Sequence, residues 1–216
     1  MLVKVVKKSI LDVKADVIVV NLFEGVKKPG GVTGIVDKAF DNVISNYVIK
    51  KEKFEGKFGE IYQLPLVNEG KKIFVVGLGK QADFTYPKIR TLTEKVVKAC
   101  GKNEKKVVSI LHGAGIAGLD AELCAQMIAE GASAGGYAFD KYKSEKNEDK
   151  VEEFTIAEID TTKFKKAEKG AEKGCIIARS MASCKQGNAS KSGLWNVKLP
   201  QDRRSNFSTG HAIRWG

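Results

Sequence analysis

The sequence predicts an α/β fold of three layers, with helices on both faces of a mixed, mostly parallel sheet. Three observations carry that reading. Residues 73–76 form a continuous apolar run, as a strand buried on both faces requires. Gly77 and Gly79 follow, where the chain must turn sharply without a Cβ. Pro87 then stands where the first turn of a helix accepts it, and Ile89, Leu92, Val96 and Val97 recur at helical spacing. A buried strand feeding a glycine turn and an amphipathic helix is the repeating unit of a layered α/β domain.

The remaining elements follow in order. Residues 2–6 read as a first strand, and residues 17–20 as a second, buried one with Asn21 at its C-terminal end. Pro29-Gly30-Gly31 makes a loop, Thr33 caps a helix, and Ile35, Val36 and Phe40 begin its apolar stripe. Residues 47–54 and 58–66 read as two strands around Glu55-Gly56, a hairpin that makes the sheet mixed. Asn68-Glu69-Gly70 turns the chain back into the strand at 73–77. Residues 107–111 form another strand, whose end, from His112 to Gly118, is glycine-rich. Asp120 caps a helix carrying Leu123, Met127 and Ile128 and continuing toward Tyr137 and Phe139. After a polar break at 141–150, residues 152–159 alternate as a sheet strand through Phe154 and Ile156. Thr161 or Thr162 then opens a helix through Phe164, Ala167, Ala171 and Cys175.

Three parts are expected: an α/β domain over 1–160, a linking helix over 161–179, and a tail over 180–216. Beyond Arg179 the periodicity stops, and the tail holds both tryptophans and three of the five arginines. A shifted reading frame or vector-derived sequence would produce such a segment, which is excluded from fold reasoning. The rival reading is a basic arm with interleaved aromatics for nucleic acid. Of the net charge of +11, the tail carries +5. The remaining +6 is spread as lysines interleaved with acids, a solvated surface rather than a nucleic-acid footprint.

A hydrophobic fraction of 43% supports a real core and argues against general disorder. No run approaches the ~20 apolar residues of a membrane span, and the N-terminus lacks a signal-peptide core. Cys100, Cys124, Cys175 and Cys184 are scattered without a CxxC pair, which points to buried thiols and a reducing, cytoplasmic setting. His112 has no Cys or acidic partner at ligand spacing, so a structural role at a strand end is expected. His211 lies in the tail and receives no role. Gly77-x-Gly79 lacks the third glycine and later acid of a dinucleotide fingerprint and reads as a tight turn. The acidic pairs Glu152-Glu153 and Glu145/Glu148 sit in polar stretches and do not form a glycosidase-like pair.

Three stretches together resemble the N-terminal domain of the leucyl (cytosol) aminopeptidase family. They are FVVGLGK with YPKIRTLTEKVVKA, the more specific AQMIAEGASAGGYAFDKYKSEK, and KAEKGCIIARS. The resemblance covers residues 1 to about 179 in the family's order. It implies, for the whole enzyme, a two-metal exopeptidase that removes N-terminal residues such as leucine, with zinc or manganese activating water and polarising the carbonyl. That chemistry belongs to the family's C-terminal domain, whose signature NTDAEGR is absent here. No catalytic or metal-binding residue carries over, and this polypeptide is expected not to hydrolyse peptides by the family mechanism. The implied partners are the family's catalytic domain, missing from this chain, and the sister subunits of a hexamer. Without them, exposed apolar surface would drive self-association.

The resemblance also implies a macro-domain-like fold. ADVIVVN followed by PGGVTGIVDKAF is similar to the strand-to-loop passage with which macro domains grip ADP-ribose. On that alternative, Gly30, Gly31, Gly113 and Gly115 would cradle a diphosphate, with Asp16 or Asn21 reading adenine or ribose. The competing expectation is a scaffold whose glycines only make turns.

Overall fold

The computed structural model describes residues 1–115, 118–136 and 151–185. Six strands form one sheet: β1 (Leu2–Val6), β2 (Val17–Leu22), β3 (Ile61–Leu66), β4 (Lys71–Gly77), β5 (Lys106–Ile110) and β6 (Glu153–Ala157). Their spatial order is β1-β6-β5-β2-β4-β3, with every neighbouring pair parallel except β3 and β4. Four α-helices complete the layers: α1 (Gly31–Ala39), α2 (Tyr86–Ala99), α3 (Ala121–Gly135) and α4 (Thr161–Lys185). This is the mixed, mostly parallel α/β/α architecture expected.

The two-residue alternation of a strand divides the core into two. Val17 and Val19 of β2 and Phe74 and Val76 of β4 face α2, α3 and α4. Ile18, Val20, Ile73 and Val75 face the other way, onto Val36 of α1 and onto Ile44 and Val48. All six residues of β2 are buried, as a central parallel strand covered on both faces must be.

The outer helices approach one another closely at glycines. On α3, Gly135 lies where a Cβ would stand 2.8 Å from the carbonyl oxygen of Glu94 in α2. On α4, Gly170 and Gly174 abut the backbone of Glu122 and Gln126 in α3. Glycines four apart on one helix let its neighbour come to this distance because no Cβ projects from the glycine face.

Two local expectations are corrected. Residues 47–54 are not a strand: Ile44–Ile49 winds as a π-helical turn. Its start is fixed by the buried Asp37, whose Oδ1 accepts from the amides of Ile44 at 2.8 Å and Ser45 at 3.1 Å. Ile44 and Val48, four apart, then bury on the same side. The antiparallel partner of β3 is therefore β4, in the register Leu64↔Ile73. Second, Thr33 does not cap α1. Gly30 holds the N-cap position, and the Thr33 hydroxyl donates to the carbonyl of Asn21 at 2.9 Å. As expected, α4 opens at Thr161, and it is capped by Asp160, whose Oδ1 accepts from the Lys163 amide at 2.8 Å. That helix runs on to Lys185, past the position at which periodicity fades in the sequence.

Tyr137, Phe139, the polar break with Glu145 and Glu148, and the tail from residue 186 with His211 lie outside the described residues.

Candidate functional site

In an open α/β sheet, a ligand crevice opens beyond the C-terminal ends of the parallel strands, where neighbouring connections diverge. Here that point lies between β2, β4 and β5, at Asn21, Gly77 and the His112 loop.

The β4 side of the crevice is closed by backbone. The amide of Gly77 donates to Glu60, that of Leu78 to Leu22, and that of Gly79 to Gly56. A Cβ at Gly79 would stand 3.0 Å from that of Phe58. With all three amides committed, the glycine pair is the tight turn the sequence suggested and cannot cradle a phosphate.

The β5 side holds a buried polar chain. Asn21 Nδ2 lies 2.8 Å from His112 Nδ1, and His112 Nε2 lies 2.8 Å from Ser109 Oγ, which donates to the carbonyl of Ile110 at 3.0 Å. An amide nitrogen only donates, so Nδ1 accepts and the ring proton sits on Nε2, directed at Ser109. The spacing is that of a Ser-His-Asn triad, but the proton flow is reversed. A catalytic histidine takes the serine proton at Nε2 while its Nδ1–H is held by an acceptor. Ser109 and His112 are also sealed from solvent, and burial lowers the histidine to a pKa of about 4. The imidazole is neutral and structural, in keeping with the expectation for His112.

Of the six residues singled out as ligand-binding, five lie beyond the C-terminal ends of β2 and β5, and Asp16 stands apart from them. Asn21 is buried and committed to His112. Asp16 precedes β2 at the opposite end of the sheet, where its Oδ2 accepts from the amides of Lys105 at 2.9 Å and Lys106 at 2.7 Å. Gly30 and Gly31 open α1 beside free space. Gly113 (φ +83°) is wedged against Phe84, and Gly115 (φ +84°) faces Lys163 Nζ. Phe84, buried, meets Phe23 edge-on with centroids 5.5 Å apart. Together they fill space above the strand ends.

Ser109 and the Phe23–Phe84 pair escaped the sequence reading. Ser109 had a signal: it is the one polar residue in the apolar run 107–111, and a buried hydroxyl needs a partner. The aromatics had none, because their meeting depends on two loops far apart in the chain.

Among the described residues, no activated thiol or metal cluster emerges elsewhere. Burial pushes the thiols of Cys100 and Cys124 up to about 12, keeping them protonated. Among the described residues no group of three His, Cys, Asp or Glu side chains stands together, so these residues do not fit a two-metal centre. Nor is any described helix long and apolar enough to cross a membrane.

Comparison with known proteins adds the following. The family model for the N-terminal domain of the cytosol aminopeptidase family matches residues 19–146. A probable cytosol aminopeptidase of Alkaliphilus oremlandii (strain OhILAs) is 34% identical over 194 residues, covering 85% of this chain and 38% of the relative. One from Clostridium perfringens (strain 13 / Type A) is 33% identical over 119 residues, covering 54% and 24%. The chain thus spans well under half the length of these relatives. Among solved structures, a tomato leucine aminopeptidase mutant superposes with TM-score 0.66 at 19% identity, over 84% of this chain and 36% of that one. A Trypanosoma brucei macrodomain in complex with ADP-ribose gives TM-score 0.60 at 13% identity, over 77% and 68%. Identities this low speak for the fold alone, and the fold is macro-domain-like.

Proposed function

Because the chain belongs to the cytosol aminopeptidase family, matching its N-terminal domain, we propose that it is the non-catalytic platform of a leucyl-type aminopeptidase. On this reading it packs against the family's catalytic domain and sets the arrangement of subunits, a hexamer by family likeness, in the cytoplasm. The parent activity is removal of N-terminal residues by a pair of divalent ions, zinc or manganese, held by that catalytic domain. The linking role falls to α4.

The supporting observation is the outer face of α4. Gly170 and Gly174 turn inward onto α3, while Ile176 and Ile177 are 57% and 37% exposed. Two adjacent large apolar side chains left open on a surface helix mark a contact surface. Light scattering on the full chain tests this. The wild type should self-associate at tens of micromolar, and Ile176→Lys with Ile177→Lys should be monomeric at unchanged melting temperature. A wild type that stays monomeric at high concentration removes the docking face. Turnover of a leucine chromogenic substrate with added manganese or zinc would overturn the non-catalytic assignment.

The macro-like fold supports a second reading, an ADP-ribose or nucleotide module using Asn21, Gly30, Gly31, Gly113 and Gly115. Against it stand the committed amide of Asn21 and the Phe23–Phe84 pair in the crevice. Calorimetry with millimolar ADP-ribose decides it, since absence of heat removes the module. A nucleic-acid arm would rest on the tail, and equal duplex affinity after its removal would exclude it.

A further inference from the structure

A cavity of 580 Å³ lies far from α4, on the opposite face of the sheet and toward the start of β4. Its apolar walls are Phe40, Val43, Tyr47, Pro65, Leu66 and Val67, and its charged groups are Asp41 and Glu69, both acids. On a chain of net charge +11, a concavity lined only by carboxylates as charged groups stands apart.

We infer that this cavity is a binding site for a small amphiphilic ammonium compound, a protonated amine on an apolar body. The volume falls in the range of small-molecule sites. Glu69 is already paired with Lys71 at 3.2 Å, whereas the Asp41 carboxylate has no ion-pair or hydrogen-bond partner among the described residues. The uncompensated charge facing a ligand is therefore that of Asp41. The ring of Tyr47 already attracts one cation, Lys51 Nζ at 5.0 Å from its centroid. Val67, 87% exposed at the rim, is a large apolar side chain that an apolar ligand body would cover.

The wall is pre-formed. Asp37, beneath the turn, accepts from the amides of Ile44 and Ser45, and its own carbonyl accepts from Asn42 at 2.7 Å. Asp41 is thereby held at φ 54°, which fixes where its Cβ leaves the backbone. The inference does not depend on the docking role of α4, which occupies another face.

Amide NMR of the full chain, titrated with 2-phenylethylamine at neutral pH, tests it. Saturable shifts are expected at residues 39–47 and 65–69, with phenylacetate giving none and 2-phenylethanol binding at least fivefold more weakly. Asp41→Asn, which tolerates the same backbone conformation, should weaken the amine at least fivefold with no change in melting temperature. Equal binding of phenylacetate or the alcohol, undiminished binding by the variant, shifts elsewhere, or no saturable shift would each overturn it.

Discussion

A β-carbon on Gly174 of α4 would stand 2.5 Å from the carbonyl oxygen of Gln126 in α3 and 2.8 Å from the Cβ of Ala129. Real atoms do not approach so closely, and a carbonyl in a helix cannot swing aside. In an exposed helix, Gly→Ala gains about 1 kcal/mol. Here the overlap wins, and Gly174→Ala is expected to destabilise the chain by about 1–3 kcal/mol. Urea unfolding at neutral pH would show it, and an unshifted midpoint would mean that α4 does not dock as described.

His112 gives the fold a pH dependence whose sign is fixed. Its pKa is about 4 when folded against 6.5 ordinarily, so below 6.5 the unfolded chain takes up a proton the folded one refuses. Stability is lost as pH falls from 6.5 toward 4, by about 2 kcal/mol at pH 5 and about 3 kcal/mol in all. His112→Gln should flatten that slope in urea titrations at pH 7 and pH 5, at the cost of stability at both. A slope identical to wild type would show that another group carries it.

Asp37 is buried and accepts from two amides and from the Ser45 hydroxyl. Asp37→Ala leaves those donors unpaired and should cost about 2–4 kcal/mol. Fast amide exchange at Ile44 and Ser45 is the local readout. Protection equal to wild type would argue against the clamp.

Asp16 ties the start of β5 to that of β2 through the amides of Lys105 and Lys106. Asp16→Ala is expected to lower stability by about 1–3 kcal/mol through the orphaned amides of Lys105 and Lys106. If instead the variant kept its stability and lost affinity for a nucleotide, its structural assignment would fail.

What the sequence made legible was whatever depends on short-range pattern. The runs 17–20, 73–76 and 107–111 became central parallel strands because a doubly covered strand must be apolar throughout. The stretch 47–54 misled because Tyr47, Val48, Ile49 and Phe54 have high strand propensity, while the winding was decided by Asp37, distant in sequence. Thr33 likewise looked like a cap, and its hydroxyl went instead to Asn21, twelve residues back. Asn21 and Asp16 shared an apparent motif, yet a strand of five or six residues separates them by roughly 17 Å. The glycines of α3 and α4 gave no directional signal until the helices they meet were known.

Pro65 sits in β3, one of the sheet's two edge strands, where its missing N–H leaves the ladder to β4 intact. It removes a donor from the free border, so a foreign strand arriving there finds a gap in the hydrogen-bonding row. Seam-to-seam extension of the sheet is thereby disfavoured along the β3 border.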